Sequence, residues 1–157
     1  LTATTQLIFE LQDATKVYMM AKMNSINASC VGMIVKRKVG SDYGLYRAYI
    51  RVPASAEDFG LYKYKYIGGS GSGTYLGTEA VDLSNNVYYT VELFYKGDGA
   101  GNNSLKVWRD NVLKFDLSDS DSFIVDINQA YLATYNWVTD GETDTGKFMG
   151  PMVLIYE

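Results

Sequence analysis

The sequence has no histidine, a single cysteine and only 2 prolines in 157 residues. Without histidine the chain lacks the commonest general base, the commonest zinc ligand and the usual switch near neutral pH. A lone cysteine can close no internal disulfide and build no cysteine-rich metal site. Cys30 lies in the apolar run NASCVGMIV and reads as an inert buried thiol, packed as a small hydrophobe. No apolar run approaches the roughly 20 residues of a membrane helix, so membrane insertion is not expected. Charge is also sparse in one sign: 14 basic against 18 acidic residues, a net charge of −4. No basic run alternates with aromatics, which argues against nucleic acid as a partner. The chain opens at Leu1 with no basic and apolar leader, as expected of a processed protein or a piece of a longer one.

What is abundant is tyrosine, with 14 residues, and glycine, with 15. Tyrosine favours strands and glycine favours turns. Helical periodicity is absent, whereas short alternating runs recur at the spacing of a sandwich. Strands are predicted near 5–11, 16–23, 30–37, 44–52, 60–67, 87–96, 104–108, 112–116, 131–138 and 148–156. The intervening KVGSDYG, IGGSGSGTYLG, GDGAGNN, DLSDSDS and TDGETDTG read as turns, with the Gly/Ser run 68–73 as a flexible loop. The predicted fold is all-β, an antiparallel two-sheet β-sandwich formed by residues 1–157 as one domain.

The stretch YYTVELFYKGDGAGNNSLKVWRDNVLKFD, residues 88–116, can be read in detail. Tyr89, Val91, Leu93 and Tyr95 share one face of the first strand and form the expected core side. Tyr88, Thr90, Glu92, Phe94 and Lys96 share the other. Leu105 and Val107 then point inward, and Lys106 and Trp108 outward. Bringing Leu113 and Phe115 into the same core calls for a three-residue turn, Arg109-Asp110-Asn111, closed by a left-handed Asn. A two-residue turn would set Lys114 opposite Val107, so the hydrophobic pattern selects the longer one.

This hairpin resembles the central hairpin of the concanavalin A-like (laminin G-like) lectin and glucanase jelly-roll superfamily. The closing TGKFMGPMVLIYE is similar to that superfamily's last strand, which returns to the centre of a sheet. The resemblance spans roughly 16–157 and implies a jelly roll. It also implies a further strand before 5–11 that this chain starts too late to supply. The expected consequence is an open edge, available to a neighbouring chain by strand addition. Glucanases of the superfamily carry acids at alternate positions of one strand, flanking the glycosidic bond. The nearest match, Glu142-Thr143-Asp144, continues into Gly146 and Lys147, while Glu79, Asp82 and Glu92 are scattered, so no catalytic residue is expected.

Asp140, Glu142 and Asp144 alternate like the start of a calcium loop, but an EF-hand count from Asp140 meets Thr145 and Pro151 where Gly and Glu are required. A looser calcium site there, or at Asp116, Asp119 and Asp121, is the alternative to a solvated acidic loop. No other cofactor is indicated. Two sequons, Asn27-Ala28-Ser29 and Asn102-Asn103-Ser104, allow N-glycosylation on a secretory route.

Aromatics carry the functional reading, because sugars stack their C–H faces on such rings. Trp108 and Trp137 are the first candidates for ligand contact, followed by Tyr88 and Phe94. Tyr62, Tyr64 and Tyr66 share one face of their strand, and Tyr131, Tyr135 and Trp137 share one face of theirs; most of these are expected in the core. The sequence therefore points to a non-catalytic recognition or adhesion module at an extracellular, cell or virion surface, with a glycan as ligand. The alternative is a self-assembling subunit of an extracellular filament or virion, joined through strand edges.

Overall fold

The computed structural model describes residues 3–24, 29–51, 58–81, 83–84, 87–136 and 147–157. Those residues contain no helix. The strands in chain order are β1 (Ala3–Ala14), β2 (Lys16–Asn24), β3 (Ser29–Val39), β4 (Asp42–Arg51), β5 (Asp58–Ile67) and β6 (Ser70–Ala80). They continue with β7 (Tyr89–Gly97), β8 (Asn102–Arg109), β9 (Val112–Ser120), β10 (Ile127–Asn136) and β11 (Lys147–Tyr156). A six-stranded sheet runs β1-β10-β3-β4-β5-β6 and a five-stranded sheet runs β11-β2-β7-β8-β9. Every neighbouring pair is antiparallel, as the all-β jelly-roll expectation requires.

The core lies between the sheets and follows the two-residue period of a strand. Val17, Met19, Ala21 and Met23 of β2 and Val91, Leu93 and Tyr95 of β7 are buried in it. They face Val31, Met33 and Val35 of β3 and Tyr46, Ala48 and Ile50 of β4. Leu105 and Val107 of β8 complete the inward side of the hairpin read from the sequence. Each of the larger aliphatic side chains, Val, Leu, Ile or Met, contributes about 1.5–3 kcal/mol of burial, enough in sum to fix the register.

Ion pairs close the open side of the sandwich, where β5 and β6 face β9. Lys63 Nζ lies 2.7 Å from Asp119 and Lys65 Nζ 2.9 Å from Asp121. Glu79 sits 2.9 Å from Lys114 and 3.2 Å from Arg109. Between these groups the Phe59 and Phe115 rings stack at 5.5 Å. Long charged side chains thus bridge the two sheets on either side of this aromatic pair.

Three details depart from the sequence reading. The Gly/Ser run 68–73 is not a loop: Gly68 and Gly69, both at positive φ, make a two-residue turn, and Ser70 already pairs with Ile67 in β6. The turn after β8 is also two residues long, Asp110-Asn111 at φ 50 and 65, with Arg109 opposite Val112. Phe115 still reaches Val107, because a bulge between Val107 and Trp108 absorbs Lys114. Leu113 in consequence pairs with Trp108 and is 45% exposed instead of buried. Finally, β11 ends its sheet, pairing only with β2 in the described order. Pro151 has no N–H for a second neighbour, and the register shifts between Met149 and Val153.

Candidate functional site

The outer face of the six-stranded sheet, turned away from the core, carries a second cluster. Cys30, Ile34, Tyr49, Tyr131 and Ala133 are buried there, with Tyr43, Tyr62 and Tyr64 packed on them. The tyrosines of β5 therefore lie outside the intersheet core in which they were expected. Their strand alternates Tyr62, Tyr64 and Tyr66 outward with Leu61, Lys63 and Lys65 inward, so the rings and the bridging lysines separate onto opposite faces.

Glycines determine how these rings lie. Gly60 stands directly opposite Tyr49, and a Cβ there would meet the Tyr49 hydroxyl at 2.5 Å. Gly73 and Gly71 of β6 lie in the same way beneath the tips of Tyr62 and Tyr64. With no side chain under them, the rings fold down along the sheet and cover bare backbone, a known compensation for glycine in edge strands. A tyrosine lying down presents its face to solvent, whereas an upright one presents its edge.

The rings fall into two groups. Tyr62 and Tyr75 meet at 4.9 Å between centroids and Tyr49 and Tyr75 at 6.4 Å. Further along β4 and β5, Tyr43 stacks on Tyr66 at 5.6 Å and lies 5.9 Å from Tyr64. Each group holds a cation. The Arg47 guanidinium is 5.1 Å from the Tyr62 ring and 5.6 Å from Tyr49, its stem covering Gly32. Lys36 Nζ is 4.5 Å above Tyr43 and 5.7 Å from Tyr131. Such contacts let a cation approach an apolar surface at reduced cost. Burial pushes the Lys36 ammonium down from its ordinary value, and Lys38 adds to this against the opposing pull of Glu10. Burial also pushes up the Tyr43 and Tyr62 phenols, so both stay neutral donors at physiological pH.

The residues singled out from sequence are distributed differently. Trp108 and Phe94 lie on the outer face of the five-stranded sheet, half-buried, and Tyr88 just precedes β7. Phe94 pairs with Tyr18 and Lys106, and Trp108 with Glu92. Tyr18 donates to Glu92 at 2.6 Å, and burial with that carboxylate raises its phenol to about 12. Tyr18, Phe94, Ile155 and Tyr156 line a shallow cavity of about 250 Å³ beside Lys16 and Glu157. Trp137, Asn27 and the acids Asp82, Asp140, Glu142 and Asp144 lie outside the described residues. Asp116 pairs with Lys106, while Asp119 and Asp121 take Lys63 and Lys65, so these three carboxylates do not converge on one point. Among the described residues no group of His, Cys, Asp or Glu could hold a metal ion. Asn102 is exposed at the start of β8, its amide donating to Asp98 at 2.6 Å.

The sequence reading passed over Tyr43, Tyr49, Tyr75, Arg47 and Lys36. In DYGLYRAYIR both faces of β4 are largely apolar, so alternation alone does not tell core from outer surface. The usable signal is GSGSGTY: alternate glycines facing alternate tyrosines across a turn.

Six strands facing five, all antiparallel, make a two-sheet jelly-roll sandwich. The structure is similar to the carbohydrate recognition domain of Emp46p in its potassium-bound form, with TM-score 0.66, 14% identity, and coverage of 95% of this chain and 76% of that one. It is similar to an alginate lyase in complex with an alginate trisaccharide, with TM-score 0.63, 12% identity, and coverage of 97% and 75%. A tetrameric galectin from the ball sponge Cinachyrella sp. aligns with TM-score 0.61, 12% identity, and coverage of 97% and 99%. At these identities the likeness is one of fold. No protein-family model matches the chain, and no curated protein matches it in sequence.

Proposed function

We propose that this chain is a non-catalytic glycan-recognition module, working at an extracellular, cell or virion surface, with its ligand on the outer face of the six-stranded sheet. The observation that carries the reading is the set of tyrosines laid flat over glycines. Their faces offer apolar area to sugar C–H groups while their hydroxyls and Lys36 supply donors to the sugar oxygens. Structural neighbours that include a carbohydrate recognition domain, a galectin and a lyase holding a trisaccharide support the same class of ligand. A non-catalytic role is favoured by the acids. Among the described side chains on this face of β3–β6 none is a carboxylate, and Glu79 and Glu92 sit elsewhere. A glycan array followed by calorimetry tests this. Tyr75→Ala, at an edge position 47% exposed, is expected to weaken the best ligand about tenfold with an unchanged melting temperature. An array without hits, or full affinity in this variant, would sink the reading.

One observation favours self-association as a second activity. β1 is an edge strand, and residues 3–9, ATTQLIF, contain no charge, proline or glycine. Leu7 and Ile8 are 52% and 46% exposed. The other edges are blunted by charges in β9, proline in β11 and glycines in β6. Light scattering across a concentration series is expected to show a dimer or larger species that Leu7→Lys returns to monomer. A wild-type monomer at all concentrations would remove this activity.

A further inference from the structure

We propose that the ligand of this face is an acidic glycan chain, several sugar units long and running along β5, and not a single neutral terminal sugar. This rests on the glycan reading above and specifies its ligand. The first observation is charge segregation. The whole chain has more acids than bases, 18 against 14. Yet the described charged side chains on the outer face of β3 and β4 are Lys36, Lys38, Arg47 and Arg51. Asp58 stands opposite Arg51 at the far end of the β4–β5 ladder, away from Lys36 and Lys38, and Glu10, on edge strand β1, accepts from Gln129 at 2.7 Å.

Placement sharpens this. Lys36 and Lys38 project from the same face of one strand, about 7 Å apart, and repel each other. Arg47 pairs with Ile34, one diagonal step from Lys36 across the β3–β4 ladder. A carboxylate or sulfate set between these cations would relieve the repulsion and gain charge-assisted hydrogen bonds from Lys36 and Lys38. Arg47, only 4% exposed, would act through its field, which a low-dielectric surround screens little.

The second observation is repetition. Tyr62 over Gly73 and Tyr64 over Gly71 are the same unit advanced by one strand period, and Tyr66 on Tyr43 follows at the next. Ring positions thus recur about every 7 Å along β5. One cation accompanies each ring group: Arg47 with Tyr49 and Tyr62, Lys36 with Tyr43 and Tyr131. A row of ring-and-cation units is complementary to a ligand that itself repeats a C–H face and an anion. A single sugar would fill one unit and leave the rest bare.

The test is calorimetry on the full chain with three probes: a uronic-acid hexasaccharide, a neutral hexasaccharide of equal length, and the uronic-acid monosaccharide. The acidic hexamer is expected to bind at least about tenfold tighter than either of the others. Its affinity should fall as salt rises from about 0.05 to 0.5 M. Lys38→Gln, at an exposed position, is expected to weaken the acidic hexamer severalfold and leave any neutral binding unchanged. Equal or tighter binding of the neutral hexamer overturns the acidic assignment and leaves glycan recognition standing. Equal binding of the monosaccharide overturns the extended chain. Binding of no saccharide at all overturns both this proposal and the glycan reading beneath it.

Discussion

Asp121→Ala is expected to lower the stability of the fold by about 3 kcal/mol, read as an earlier urea midpoint at unchanged slope. The Asp121 side chain is 1% exposed and does several jobs at once. One oxygen accepts the backbone N–H groups of Phe123 at 2.9 Å and Ile124 at 3.2 Å, holding the turn that leads from β9 to β10. The other lies 2.9 Å from Lys65 and 3.3 Å from Lys63, tying the two sheets together at their open side. Alanine would orphan a buried N–H, take the carboxylate from Lys65 and leave Lys63 with Asp119. Asp121→Asn keeps an acceptor and removes the charge, so it should cost less, about 1–2 kcal/mol. An equal loss in both variants would mean that the ion pairs carry the whole effect.

The same carboxylate gives the stability a pH dependence. Burial alone would raise the Asp121 pKa, but Lys65 and the two backbone donors outweigh it and hold the group below 3.8. Because the folded value lies below the unfolded one, the contribution is fully present above about pH 4 and is lost as pH falls through the folded pKa. Asp121 belongs to a larger buried polar set. Tyr46 donates to Asp119 at 2.6 Å, Asn103 donates to Tyr46 at 2.9 Å, and Tyr95 donates to Asn103 at 2.8 Å. Burial raises both phenols, so these donors keep their protons where Asp121 is ionised. Satisfied throughout, the set fixes how β4, β7 and β8 meet the β9 end of the sandwich.

These residues also mark how far the sequence could be read. The two-residue alternation of 89–95 and 105–107 is unambiguous, because one face is apolar and the other charged, and the structure follows it. Alternation failed at the bulge in β9. A single extra residue, Lys114, reverses the faces, and nothing in NVLKFD distinguishes a longer turn from a bulge. It failed again at GSGSGTY, where glycine signals a loop by composition but serves as bare backbone beneath tyrosine rings. The candidate ligand face escaped notice for a related reason. Tyrosines that pack on the outside of a sheet leave the same pattern as tyrosines in a core, and only the strand order tells which strand faces them. DLSDSDS, by contrast, suggested a cation site; its Asp119 and Asp121 prove to be partners for Lys63 and Lys65, far away in the sequence, and Asp116 for Lys106 on the neighbouring strand.

Gly73→Ala is expected to weaken glycan binding by about thirtyfold, more than deletion of the exposed Tyr75 ring, although it removes no group that could touch a sugar. A Cβ at this position would overlap the tip of Tyr62, so the ring must lift away from β6. Lifting it breaks the 4.9 Å contact that props Tyr75 and the 5.1 Å contact with Arg47, so one methyl group disorganises the whole first ring group. The fold itself should tolerate the change. Gly73 is exposed on edge strand β6, and alanine suits an extended backbone better than glycine does, so the melting temperature should move by only a few degrees. Gly60→Ala provides the contrasting case. The ring above it, Tyr49, is only 1% exposed and cannot rotate outward freely, so there the added methyl should cost about 1–3 kcal/mol of stability as well. If Gly73→Ala binds as tightly as the wild type, recognition does not depend on flat-lying rings. The ligand would then have to be sought on the opposite sheet, around Trp108 and Phe94. Loss of binding with an intact fold would instead tie affinity to the pairing of tyrosine with glycine across the β5–β6 edge.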